Sequence, residues 1–154
     1  MKTLVLTAIA FFALALCSST SFAQSILTNN GTLIYVSPKT TVRICGTADV
    51  VSNGTVTVQD SANLRVDGTM NITNGTLNLN AASTALVTVD LTSGGTPCGP
   101  ATGTINRNGT GTLRVNRNLN NNGLLNNTAT ILIFGDWNNA GTANNDNLIE
   151  INQP

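Results

Sequence analysis

The stretch from residue 53 to 73, NGTVTVQDSANLRVDGTMNIT, is followed at once by NGTLNLNAASTALVTVDLTSG, which opens on the same Asn-Gly-Thr and keeps the same alternation of apolar and polar residues. Laying Asn53 on Asn74 gives a period of 21 and superposes Val56 on Leu77, Val58 on Leu79 and Val66 on Val87. Laying Asn30 on Asn53 gives 23, with Gly31, Thr32 and Leu33 against Gly54, Thr55 and Val56, and one residue of slip by Tyr35. A second word recurs inside the unit: VRICG at 42–46, LRVDG at 64–68, LRVN at 113–116 and, without the arginine, ILIFG at 131–135.

Alternation over three to five residues is the pattern of a short strand. It puts Val56 and Val58, Leu64 and Val66, and Leu77 and Leu79 on one face. Periods in the low twenties with Gly and Asn at the joints predict an all-β fold, a short parallel β-helix (β-solenoid) of about five to six coils of roughly 21 residues. Three strands and three corners fill such a coil. Asn-Gly and Asp-Gly are expected to supply positive backbone angles at the corners. The same pairs also close two-residue hairpins, so an antiparallel β-sandwich is the alternative. Hairpins would pair different words, whereas stacked coils put Thr over Thr and Val over Leu.

Opening words fall at Asn30, Asn53, Asn74, Gly103 or Asn108, Asn122 and Ala140. The period breaks near 92–111, where Gly and Pro cluster and about a dozen residues are inserted, which reads as a loop bulging from one corner.

Before the repeats stands MKTLVLTAIAFFALALCSSTSFAQ. Lys2, an apolar run from Ala8 to Leu16 and small residues before Gln24 are the three parts of a secretory signal peptide over residues 1–23, leaving 24–154 as one β-solenoid domain. The run is shorter than the roughly 20 residues that cross a bilayer. A lipid anchor on Cys17 would need a small residue where Leu16 stands. The expected location is therefore secreted or at the surface of a bacterial cell, with no membrane contact after signal removal.

Without Lys2 the chain carries six Lys and Arg against seven Asp and Glu, a balance that offers no footprint for nucleic acid. Only Tyr35, Phe134 and Trp137 remain of the aromatic residues, so the core must be narrow and built from Val, Leu and Ile. The chain holds 23 Asn, 24 Thr and 14 Gly, and the regular apolar positions among them favour folding over disorder.

Chemistry-bearing residues are sparse. Cys45 and Cys98 are the cysteines beyond the signal, and an exported compartment would permit a disulfide pinning the inserted loop to an early coil, with free thiols the alternative. With no histidine they leave too few ligands for a metal. Arg43, Arg65 and Arg114 stand between apolar neighbours and so point outward. Such a stripe either binds an acidic extracellular glycan or, the reading preferred, is a solvated face that discourages edge pairing. The asparagine runs at 116–127 and 137–147 are expected to tolerate left-handed corners and to stack as hydrogen-bonded ladders. Asn-Gly-Thr also matches a glycosylation pattern, read here as a by-product of turn chemistry. Trp137 follows Gly135 as Met70 follows Gly68, which places it inward near the end of the rod. An exposed tryptophan would instead be a sugar platform. Glu150 is the single glutamate and the aspartates recur at no one coil position, so no paired carboxylates mark an enzyme and no cofactor is expected.

GTLRVNRNLNNNGLLNN and ILIFGDWNNAGT, together with a signal ending in Ala-Gln, resemble the Asn/Gly/Thr-rich repeats of exported β-helix proteins of the Bacteroidetes. That resemblance implies an adhesin-like or extracellular fibre-forming surface protein. Long proteins of that kind continue into further coils, so one alternative is an N-terminal fragment of a larger surface adhesin. Another is a carbohydrate-binding module, which would need Tyr35 and Trp137 exposed on one face. An ice-binding solenoid would need Thr-x-Thr ladders, and TVT at 55–57 becomes TLN at 76–78. The leading expectation is a secreted structural subunit that associates with itself or with other cell-surface proteins. A solenoid open at both ends offers unpaired strand edges, here Leu33 and Tyr35 at one end and Leu148, Ile149 and Ile151 at the other.

Overall fold

Words of three or four alternating residues are too short to bury an apolar face alone, and the structure satisfies them by stacking each word on its own copy. The computed structural model describes residues 26–45, 49–94 and 102–152. The expected signal peptide lies outside them.

Each rung of the solenoid holds three strands. The first rung is β1 (Ile26–Asn29), β2 (Leu33–Val36) and β3 (Thr41–Ile44), and the second is β4 (Asp49–Ser52), β5 (Thr55–Val58) and β6 (Asn63–Val66). The third is β7 (Met70–Ile72), β8 (Thr76–Leu79) and β9 (Thr84–Val87). The fourth is β10 (Leu91–Ser93), β11 (Thr104–Arg107) and β12 (Thr112–Val115). The fifth is β13 (Leu119–Asn121), β14 (Leu124–Asn127) and β15 (Thr130–Ile133), and the last is β16 (Trp137–Asn139), β17 (Thr142–Asn145) and β18 (Ile149–Ile151).

Each strand from β1 to β15 pairs in parallel with the strand three places later, which makes three six-stranded sheets starting from β1, β2 and β3, here the first, second and third sheet. A sandwich of hairpins is excluded. The chain is a parallel β-solenoid of six rungs and five steps. In the second sheet Leu33, Thr55, Thr76, Thr104, Leu124 and Thr142 stand one above another, so the steps take 22, 21, 28, 20 and 18 residues. The long step, 28 residues against 21 before it, carries the insertion between β10 and β11, which is narrower than the expected 92–111 because β11 falls inside that range, and it adds seven residues rather than about a dozen. Residues 95–101 lie outside the described residues.

Two sequence expectations need correction. The first concerns register. Leu33 stands over Thr55, not Val56. The first sheet steps by 23, Ile26 to Asp49, and the second by 22, so the corner between them holds one extra residue in the first rung. Gly31 absorbs it at φ +82°. A one-residue shift exchanges the faces of a strand, and Leu33 and Tyr35 consequently point outward. Likewise Gly103 opens the fourth rung, because Thr104 stands over Thr76. Asn108 belongs to the following corner.

The second concerns glycine. Most corner glycines do not have positive φ. Left-handed residues recur instead at the corner between the second and third sheets, as Lys39, Ser61, Ala81 and Gly109 in four successive rungs. Gly54, Gly75, Gly103, Gly123 and Gly141 are required by close approach. A Cβ on Gly75 would lie 2.0 Å from the carbonyl oxygen of Gly54, and one on Gly123 equally close to that of Gly103. These glycines form a spine at the corner between the first and second sheets. There the backbone also bonds upward, Thr76 N–H to Gly54 O at 3.1 Å and Thr142 N–H to Gly123 O at 2.8 Å.

Inside, columns of Val, Leu and Ile meet from the three sheets: Met70, Leu91 and Leu119 from the first, Val56, Leu77, Ile105 and Leu125 from the second, and Leu64, Ala85, Leu113 and Ile131 from the third. The core is narrow and aliphatic. Trp137 closes the first column over Leu119, partly buried against the core as expected.

The spine makes a prediction. Gly75→Ala should cost about 1–3 kcal/mol through overpacking, read as a lower urea midpoint. Ala81→Gly, at a left-handed position, should leave the midpoint unchanged or higher. A wild-type midpoint for Gly75→Ala would contradict the spine.

Candidate functional site

Side chains that alternate inward and outward build three outer faces, each a set of vertical columns, and the candidate chemistry lies on two of them and at the two ends. On the third sheet, one outer column runs Arg43, Arg65, Leu86, Arg114, Leu132 and Glu150. The three arginines are therefore outward and on one line, as their sequence positions implied. Arg43 and Arg65 sit on adjacent rungs and share Asp67: Arg43 Nε donates to its Oδ2 at 2.7 Å, and Arg65 Nε donates to its Oδ1. The Asp67 carboxyl is held below the usual carboxylate range, first by the bond from Arg65 and then by that from Arg43, and Arg43 is raised in return. These groups are solvated, where ion pairs add little to stability. Two arginines on one aspartate still leave a net positive charge there.

The Arg114 guanidinium carbon lies over the Phe134 ring, 4.1 Å from its centroid, and its Nε donates to Asn116 Oδ1 at 2.8 Å. Between Arg65 and Arg114, Leu86 and the neighbouring Thr84 and Thr112 floor a shallow open groove of about 470 Å³.

The second sheet carries an amide ladder on its outer face. Asn106 Nδ2 donates to Asn78 Oδ1 at 2.9 Å, Asn126 to Asn106 at 2.8 Å and Asn144 to Asn126 at 2.8 Å. The ladders expected from the asparagine runs are present, but on strands as well as corners. No asparagine among the described residues takes the left-handed conformation. Two inward ladders line corners: Ser93 with Asn121 and Asn139, and Asn127 with Asn145. The threonine column Thr55, Thr76 and Thr104 beside the outer ladder is interrupted by Leu124.

Sequence reasoning missed Arg107. It is fully buried, in the inward column of Val58 and Leu79, and its guanidinium is taken by backbone carbonyls: Nη1 donates to Leu79 O and Asn108 O at 2.7 Å, Nη2 to Ala81 O at 3.1 Å and Nε to Gly111 O at 3.3 Å. Burial lowers its pKa. The planar fork suits this role because it spreads several donors over carbonyls that diverge at a corner. The signal was available: in TINR, strict alternation puts Arg107 on the face of Ile105.

Other expectations are placed as follows. Tyr35 is exposed on the second sheet in the first rung, and Trp137 is inward on the first sheet in the last rung. The two aromatics do not share a face, which removes the paired sugar platform. Cys45 is exposed at the end of β3, its thiol free among the described residues, while Cys98 lies outside them. Among the described residues, Asp60 accepts from the Ala82 N–H, Asp67 holds the two arginines, and Asp90 accepts from the Asn118 N–H.

At the ends, β1, β2 and β3 on one side and β16, β17 and β18 on the other are the terminal strands of their sheets. The exposed large apolar side chains among the described residues are Leu27, Leu33, Tyr35, Val42, Leu148 and Ile151. All belong to the first or the last rung.

Fold and placement define a β-solenoid repeat protein. No protein-family model matches the chain, nor does any curated protein or solved structure.

Arg107 gives the prediction for this part of the molecule. Arg107→Ala should lower stability by about 2–4 kcal/mol, since it opens a cavity and strips several carbonyls of donors. Arg107→Lys should recover only part of this, because a single ammonium cannot span the same acceptors. Thermal melting of both variants checks it.

Proposed function

We propose that the chain is a secreted structural or adhesive β-solenoid subunit, without catalytic activity, that acts at the cell surface by stacking end to end into an extracellular filament. One observation carries the reading: among the described residues, exposed large apolar side chains and unpaired strand edges coincide, and both are confined to the two terminal rungs. Such edges template further pairing. A head-to-tail contact between two different surfaces does not close on itself, and it propagates into a fibre. The apolar run after Lys2 and the small residues before Gln24 support export.

A second reading has its own support. Arg65 and Arg114, with Leu86 between them, could hold an acidic glycan in the groove of the third sheet, with carboxylates on the guanidinium groups and a sugar face on the leucine. It concerns the flank of the rod and is compatible with stacking at the ends.

Negative-stain electron microscopy and light scattering of the purified chain over a range of concentrations test the leading reading. Rods that lengthen with concentration are expected. A monomer at the highest concentration overturns it.

A further inference from the structure

The two ends of the solenoid are complementary in their inward columns and in charge when the last rung of one chain is continued by the first rung of another, while Leu33 and Tyr35 stay on the outer face. From the in-register stacking we infer that the partner surface for each end is the opposite end of a second copy, docked so that Glu150 lies directly on Arg43. This deepens the end-to-end reading proposed above and rests on it.

The register follows from the bonds that join successive rungs within the chain. Each rung donates to the one before it at three corners: Thr142 N–H to Gly123 O at 2.8 Å, Asp146 N–H to Asn127 O at 2.8 Å and Asn152 N–H to Ile133 O at 2.7 Å. The corresponding donors in the first rung are the N–H groups of Leu33, Ser37 and Cys45. The corresponding acceptors in the last are the carbonyls of Gly141, Asn145 and Ile151. Joining these three pairs places β16 on β1, β17 on β2 and β18 on β3 of the next copy.

The register fixed by these backbone bonds also continues the inward columns. Inward, it sets Trp137 on Leu27, Ala143 on Ile34, Ile149 on Val42 and Ile151 on Ile44, which continues the aliphatic columns. Leu27, Val42 and Ile151, respectively 40%, 37% and 46% exposed in the single chain, become covered. At the corner beside the spine, Asn139 meets Asn29, as Asn121 meets Asn139 within the chain at 2.8 Å.

Charge points to the same arrangement. The first rung, residues 26–45, carries Lys39 and Arg43 and no acid, while the last, residues 136–152, carries Asp136, Asp146 and Glu150 and no base. Lys39 and Asp146 belong to the same corner. Glu150 is the final member of the outer column that begins with Arg43, so stacking places it over the pair of arginines that Asp67 only half neutralises. Like-with-like stacking of two first rungs or two last rungs would instead set same-sign charges together, which costs association.

Rungs of different length do not prevent this. Within the chain, steps between 18 and 28 residues keep their register because additional residues leave at the corners.

Cysteine crosslinking tests the register. Outward residues on adjacent rungs have Cα atoms about 4.8 Å apart, inside the range a disulfide spans. In a full chain with Cys17→Ser, Cys45→Ser and Cys98→Ser, Arg43→Cys and Glu150→Cys together should give covalent ladders on oxidation. Separately, Glu150→Arg should raise the concentration needed for assembly about tenfold, and high salt should weaken wild-type assembly. Assembly of the wild type without the 43–150 crosslink, and with no effect of Glu150→Arg, overturns this register and leaves end-to-end association standing. A wild type that stays monomeric overturns both.

Discussion

The close approach of consecutive rungs at the glycine spine is the constraint on which the rest of the structure depends. Parallel strands sit about 4.8 Å apart, and at the corner between the first and second sheets the backbone of one rung rests on the carbonyl of the rung below with no room for a Cβ. Once that spacing is set at one corner it is set at all three. Every residue then stands on its counterpart, and each column must be compatible with itself. Aliphatic residues stack into a core. Asparagine stacks into ladders, because an amide carries both donor and acceptor along the column. A column of like charges is the difficult case, and the arginine column is broken by Leu86 and Leu132 and compensated by Asp67.

This self-compatibility is why the fold was legible in the chain. The repeat of Val56 on Leu77 and Val66 on Val87 is the observed register, and the outward placement of Arg43, Arg65 and Arg114 followed from alternation alone. Other features depended on geometry that periodicity does not carry. A corner can absorb one residue, and the extra residue at Gly31 turned Leu33 outward although the words around it align. Glycine beside asparagine suggested a backbone angle, which Gly31 and Gly109 do adopt, whereas at Gly54, Gly75 and Gly123 the reason for glycine is contact with the rung below. Left-handed residues fell on Lys39, Ser61 and Ala81, which lack the usual sequence mark. Arg107 sat in an inward phase that its charge argued against, and the carbonyls that accept it come from parts of the chain adjacent only after stacking.

The candidate site was legible to a similar depth. The terminal words Leu33, Tyr35, Leu148, Ile149 and Ile151 do lie in the end rungs, but sequence alone does not say which of them face inward. Ile149 and Ile151 continue apolar columns, while Leu33 and Tyr35 stand on the outer face. The opposite charge of the two terminal rungs is visible in the sequence only once the rung boundaries are known. What makes an open solenoid hazardous in general, an edge that accepts any strand, is here restricted by charge and by a defined order of columns.

On the proposed stacking, a chain boundary is, in structural terms, one more step of the solenoid. Cryo-electron microscopy of the assembled protein tests it most directly. The account predicts an uninterrupted rung spacing of about 4.8 Å across the junction, with a repeat of six rungs or roughly 29 Å and all chains pointing the same way. Junctions with a gap between chains, or ends related by a two-fold axis, would contradict it.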